Sequence, residues 1–295
     1  MQIKELHNSW DIKPTSDFIK NRFDIIAKEY FSYEVISDND TYVITSKIEG
    51  NKCNLGLNFI DIPYNLVEVI INFIFQNHRR VNEIRIDASL LKYGYSRPYI
   101  YYHISLPDTS AELHSRLSRK SNYNIKREQK LINESVGKVT FSEYTYDTIP
   151  DDVMNVYFEF KKVPYKTKYN FSKNDYLSNY NVSDCYVLSA DNKILAIVLS
   201  CEQTNEVFLE NMTYNSEFAR YSPGQVLYDW YLTRLIEKGK TKLYLGGGDY
   251  MYKKRYGSIS QSVYSNIIFR NYYYLLKYLL TKILRKIIVC FLNEQ

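Results

Sequence analysis

The triplet Ser222-Pro223-Gly224, followed by an apolar stripe that Gly239 closes, constrains this chain more than any other feature. Proline is preorganised for the first position of a helix, and serine suits the residue before it. Val226, Leu227, Trp230, Tyr231 and Leu235 then recur at helical spacing, and a glycine is the expected left-handed stop. Residues 242–245 read as a short strand, halted by Gly246-Gly247-Gly248-Asp249, and a tyrosine- and lysine-rich segment, 250–256, follows. A helix start leaves backbone N–H groups open to an anion. Arg220 lies just before it, and Lys253, Lys254 and Arg255 lie downstream, so a pyrophosphate or phosphorylated nucleotide has cations to meet. The plainer reading of the same residues is an ordinary helix start and a glycine loop.

Composition narrows the class of partner. The chain has 295 residues, enough for one large domain or two of ordinary size, and its 45% apolar content supports a real core. The net charge of +5 suits a phosphate-bearing partner and is too mild to point to nucleic acid. Cys53, Cys185, Cys201 and Cys290 are scattered, which excludes a zinc motif and a disulfide framework and fits a reducing cytoplasm. His7, His78, His103 and His114 do not cluster with other ligand types, so no metal is expected. The 31 tyrosines admit two readings: strand and core packing, or a groove for sugars or bases.

The order of elements predicts an α+β protein with mixed sheets. A helix is expected over 14–30, strands over 34–37, 41–48 and 55–62, a helix over 63–78, and strands over 83–88 and 99–105. One long basic helix is expected over 109–135. The second half opens with a strand at 138–144 and a helix at 151–162. A hairpin over 185–201 turns at Asp191-Asn192, where two left-handed residues are wanted. A final strand is expected at 262–269. Residues 271–292 form a basic amphipathic helix whose four charges argue against spanning a bilayer; it can lie on a membrane surface or pack on protein.

The run Ser-Pro-Gly, helix, strand, then Gly247-Gly248-Asp249-x-x-Tyr252-Lys253-x-Arg255-Tyr256-Gly257 resembles the C-terminal half of the CelD/BcsL-like acyltransferases of the GNAT superfamily, relatives of FemAB-type transferases. Leu106-Pro107-Asp108 with Leu113, Leu117, Ser118-Arg119-Lys120, Asn124 and Lys126-Arg127 is similar to the basic helix that joins that family's two halves. The resemblance implies two GNAT-like halves: 1–108, a linking helix 109–137, and 138–270 with the donor site, before the amphipathic 271–295. It implies transfer of an acyl group from acetyl-CoA or another acyl-CoA to a sugar, nucleotide-sugar or polysaccharide precursor in the cytoplasm; the membrane reading of the amphipathic 271–292 would add peripheral contact at the inner face of the cell membrane. FemAB-like use of aminoacyl-tRNA on a cell-wall precursor and a non-catalytic membrane-associated binding protein remain alternatives.

Three needs of acyl transfer assign candidate residues: a held donor, a group to take the nucleophile's proton, and a proton for the leaving thiolate. Arg220, Ser222, Gly224, Gln225 and Lys253 are the expected donor contacts. Asp249, after three glycines that allow close approach, is the expected base, given partial burial to raise its pKa; its alternative role is an ion pair with Lys253. Glu210 is a second base candidate and Tyr252 the thiolate's proton donor.

Overall fold

The computed structural model describes residues 2–7, 30–37, 40–55, 63–165, 172–179, 182–202 and 205–293. In chain order these form β1 (Gln2–His7), β2 (Tyr30–Ser37), β3 (Asp40–Glu49), β4 (Lys52–Leu55), α1 (Tyr64–Asn77), β5 (Glu83–Ser89) and β6 (Tyr95–Ser105). Then come α2 (Ser110–Ser115), α3 (Arg119–Ser135), β7 (Val139–Thr145), α4 (Asp151–Tyr165), α5 (Lys173–Asn179), β8 (Asp184–Ala190), β9 (Lys193–Glu202) and β10 (Glu206–Tyr214). The run ends with α6 (Pro223–Glu237), β11 (Lys242–Gly247), α7 (Met251–Lys254), β12 (Ile259–Phe269) and α8 (Tyr272–Asn293). The mixed α/β class is as expected; the helix expected over 14–30 lies outside the described residues, as do 56–62 of the third expected strand.

Two compact units result: residues 1–99 with 262–295, and residues 100–261. In the first, strands run in the order β1-β2-β3-β4-β5-β12. β4 and β5 are parallel, and the other neighbours are antiparallel. Helix α1 turns Leu66, Val67, Ile70, Ile71 and Ile74 inward onto Ile44, Ile84 and Ile86. Full burial of each such side chain contributes about 1.5–3 kcal/mol before entropy is counted. Tyr33 is wholly buried, yet its hydroxyl is hydrogen-bonded to His78 and Ser46, each at 3.3 Å.

The expected division after 270 differs from these units for a long-range reason. Tyr264–Phe269 of β12 pair with Glu83–Ser89 of β5, and Arg270 donates to the carbonyls of Val81 and His78, both at 2.7 Å. The last strand therefore belongs with the first hundred residues. The expected division after 108 also moves, because Leu113, Leu117, Ile125 and Ile132 from the basic stretch are core residues of the second unit.

That stretch is two helices rather than one. Thr109 and Ser118 are both side-chain caps: Oγ1 of Thr109 accepts from Glu112 N at 3.2 Å, and Oγ of Ser118 from Ser121 N at 3.1 Å. A second capping serine inside a helical pattern restarts the helix.

In the second unit the strand order is β6-β11-β10-β9-β8-β7, with only β10 and β11 parallel. Both faces of the middle strands are buried. Tyr186, Leu188, Ala196 and Val198 meet α6, which inserts Leu227, Tyr231 and Leu235. Cys185, Val187, Ile197 and Leu199 meet α4, through Val153, Met154 and Tyr157. The period of two simply alternates between two apolar layers. Asp191 (φ 41°) and Asn192 (φ 67°) are both left-handed, the turn that the Asp-Asn pair predicts.

Candidate active site

Helix α6 begins unusually. Ser222 is left-handed, at φ 49° and ψ 47°, and its side chain does not cap the helix. Instead its carbonyl accepts from the amides of Gln225 (2.9 Å) and Val226 (3.3 Å). Pro223 has no N–H, so Gly224 supplies the first-turn amide left for a ligand. The Ser222 side chain hydrogen-bonds to Glu128 of α3, which is buried and has one carboxylate oxygen without a partner among the described residues. Burial pushes the Glu128 carboxyl up, opposed by Ser222, Arg127 and Arg255.

A cavity of about 240 Å³ opens at this helix start. Ser222, Gly224, Gln225, Tyr228, Tyr252 and Arg255 are among its walls. The Tyr228 hydroxyl is buried and has no partner among the described residues. Leaving such a group unpaired costs about 1–3 kcal/mol, which a ligand oxygen or nitrogen in the cavity would recover. Tyr256, another wall, donates to Asp229 Oδ1 at 2.7 Å; the same oxygen meets His114 Nε2 at 3.0 Å, and this fixes the ring.

The neighbouring strands are locally opened. β10 and β11 pair through Glu206–Phe208 and Lys242–Tyr244. Beyond that, β10 bulges at Glu210, between Leu209 and Asn211, and β11 shifts register between Tyr244 and Gly246. Bulges re-aim side chains and interrupt pairing beside sites.

Past β11, the single turn of α7 sends successive lysines opposite ways. Lys253 is 2% exposed, and its Nζ donates to the carbonyls of Gly246 (3.1 Å) and Gly247 (2.6 Å). Burial lowers its amine to about 8. Lys254 points outward and pairs with Asp249 at 2.6 Å, while Tyr102 donates to the same oxygen at 2.7 Å. Lys254, then Tyr102, hold the Asp249 carboxyl below the usual carboxylate range. Two expectations are thereby corrected: Asp249 pairs with Lys254 rather than Lys253, and it is exposed rather than buried, so its pKa moves down rather than up. It remains an ionised hydrogen-bond acceptor at neutral pH.

The expected residues thus separate. Ser222, Gly224, Gln225 and Tyr252 line one cavity. Asp249, in the loop after β11, and Lys253, on α7, are not among its walls, and Glu210 is a half-buried bulge residue on β10. Arg220 is exposed, with its guanidinium stacked 4.6 Å from the Tyr221 ring, and Arg255 occupies the cavity instead. Tyr228 and Glu128 were not singled out from sequence, and Tyr256 only as part of the Gly247–Gly257 motif.

Lys254 is the larger cause of the low Asp249 pKa, so its removal has a defined effect. A depressed carboxyl is ionised down to low pH; without Lys254 it protonates sooner as pH falls. In Lys254→Ala the acid limb of the rate profile is expected to move to higher pH. An unchanged limb assigns it to another group.

Residues 119–254 match the family model described as Acetyltransferase (GNAT) domain. No curated protein matches the chain in sequence. In structure it is similar to FemX, at TM-score 0.59 and 10% identity over 89% of this chain and 93% of that one. It is also similar to L-PGS from Bacillus licheniformis, at TM-score 0.50 and 12% identity over 81% and 84%. A conserved protein of unknown function from Bacteroides thetaiotaomicron aligns at TM-score 0.52 and 10% identity over 84% and 88%. Residues 119–254 are thus a GNAT acetyltransferase-type domain, which marks the protein as an acyltransferase, and the likeness to the solved structures shows a shared fold.

Proposed function

We propose that this chain transfers an acyl group from acetyl-CoA, or another acyl-CoA, to an amine or hydroxyl of a sugar, nucleotide-sugar or polysaccharide precursor. The observation that carries the donor reading is the cavity at the start of α6, with the Gly224 amide, Arg255 and the unpaired Tyr228 hydroxyl at its walls. Gly224 and Arg255 would hold the donor's diphosphate. The resemblance to CelD/BcsL-like acyltransferases suggests the carbohydrate acceptor.

In this reading the acceptor's lone pair forms a bond to the thioester carbonyl carbon, and the carbon–sulfur bond breaks. Asp249, or Glu210 on its bulge, accepts the hydrogen of the nucleophile. Burial pushes the Tyr252 hydroxyl up to about 12, so it keeps its proton at neutral pH and can hand it to the departing sulfur. Lys253 holds the glycine loop through the Gly246 and Gly247 carbonyls rather than meeting the donor. The test is thiol release from acetyl-CoA across a panel of amino sugars and nucleotide sugars; no release with any acceptor, alongside no binding of acetyl-CoA, rejects the donor.

A specific observation favours a second reading. The buried Glu128 carboxylate at Ser222 weakens the pull of this helix start on a diphosphate, and Arg119, Lys120, Lys126, Arg127 and Lys130 are exposed along α3. The exposed cations suit an aminoacyl-tRNA donor, whose binding would weaken steeply with salt.

On α8, Tyr272, Tyr273, Leu276, Leu280, Ile283 and Leu284 are exposed. They support peripheral contact with the inner face of the cell membrane in a cytoplasmic enzyme. Among the described residues no helix is long and apolar enough to cross a bilayer.

A further inference from the structure

The first unit has a larger cavity, of about 630 Å³, between the β4–β5–β12 edge and α8. Its size is that of a ligand site. Strand register builds its floor. Lys52 stands opposite Glu83 on β5, and Glu83 opposite Phe269 on β12; Arg85, two residues along β5, faces the same way. The roof is α8, anchored by Tyr278, whose ring lies 5.2 Å from Phe269 and 5.8 Å from Tyr95.

The charges around this space are one-sided. Lys52, Arg85, Arg97, Lys277 and Lys282 line it, against the single carboxylate of Glu83, which is committed to Arg85. The other four cations have no carboxylate partner among the described residues. Two of them are nevertheless held in place by a neutral group. Lys282 donates to the Tyr95 hydroxyl at 2.9 Å, and the Arg97 guanidinium lies 5.6 Å from the Tyr95 ring. A phenol positions a cation without cancelling its charge. Cations that line one cavity repel where they lie within a screening length of about 8 Å at physiological salt, and a bound anion relieves that repulsion.

We propose that this cavity is a phosphate-binding site for an anionic organophosphate, with Arg97, Lys277 and Lys282 as its contacts. It shares no residue with the cavity at α6 and does not depend on the donor assigned there. The phosphate has two possible carriers, a soluble diphosphate or an anionic lipid headgroup reached from the surface on which α8 exposes its leucines.

The experiment uses the full chain and the double variant Arg97→Gln/Lys277→Gln. Both side chains are exposed, and far-UV circular dichroism confirms the variant's fold. One arm titrates inorganic pyrophosphate by calorimetry; the other sediments phosphatidylcholine vesicles with and without phosphatidylglycerol. Pyrophosphate binding that weakens at least about tenfold in the variant supports the site with a soluble carrier. Phosphatidylglycerol-dependent sedimentation lost in the variant, without pyrophosphate binding, supports it with a lipid carrier. If neither probe binds, or the variant binds as well as the parent, the proposal is overturned.

Discussion

Gly224→Trp weakens acetyl-CoA binding by about 100-fold, equivalent to about 2.7 kcal/mol, while the protein stays folded. Gly224 is a buried wall of the cavity, and a Cβ there would lie 3.4 Å from the Tyr214 ring, an ordinary contact. Its backbone is helical and not left-handed, so a side chain adds no strain. An indole, however, fills much of a space of about 240 Å³ and covers the Gly224 amide. Gly224→Ala keeps both space and amide and retains binding within about threefold. Calorimetry with acetyl-CoA reads both effects, and circular dichroism separates them from unfolding. A tryptophan variant that binds like the parent places the donor elsewhere.

Lys238→Met destabilises the second unit by about 3 kcal/mol, the low end for breaking a buried pair, because it removes the cation that three carboxylates share and leaves Glu143 to Arg234 and Glu202 to Lys240 at 3.5 Å. Lys238 follows the last turn of α6, where a cation also suits the helix dipole. Its Nζ pairs with Glu143, reaches Glu202 at 3.2 Å and Asp184 at 3.9 Å, and donates to the Tyr186 hydroxyl at 2.7 Å. The Glu202 side chain is only 7% exposed, so solvent cannot replace the ammonium. Burial alone would raise the Glu143 carboxyl, but hydrogen bonds from Lys238 and Arg234 outweigh it and hold the pKa down. A depressed carboxyl adds stability above its unfolded pKa that is lost as pH falls through the folded value. Asp184 runs the other way: burial, then Glu202, raise it, so its ionisation is a cost that low pH removes. The deficit of Lys238→Met is therefore greatest at neutral pH and narrows as the carboxylates protonate. Urea titrations of parent and variant at several pH values measure it. An equal loss at all pH values would mean that packing, not charge, is responsible.

Local chemistry made part of this structure readable. Asp191-Asn192 announced a hairpin because both residues tolerate left-handed backbone, and both adopt it. Pro223 marked a helix start, and of its stripe Val226, Leu227, Tyr231 and Leu235 are buried in the core of the second unit with Trp230 packed against it. Long-range pairing was not readable. Nothing within 259–269 says that its partner is the distant strand 83–89, so the last strand was assigned to the wrong neighbours. Choices made by a single torsion were also hidden. Arg220 stacks on Tyr221 instead of entering the cavity, and α7 hands Asp249 to Lys254 instead of Lys253. Two alternations that look alike in sequence differ in space: one lysine is buried under glycine carbonyls, the next meets water. Ser222 reads as a capping serine by its neighbours, yet its hydroxyl turns to a buried carboxylate on α3, a partner ninety-odd positions upstream by residue number.

Crystals of the full chain grown with coenzyme A test the donor assignment most directly. The diphosphate should lie at the start of α6, within hydrogen-bonding distance of the Gly224 amide and the Arg255 guanidinium, with the Tyr228 hydroxyl newly paired. Coenzyme A bound elsewhere on the chain, with that cavity unchanged, contradicts it.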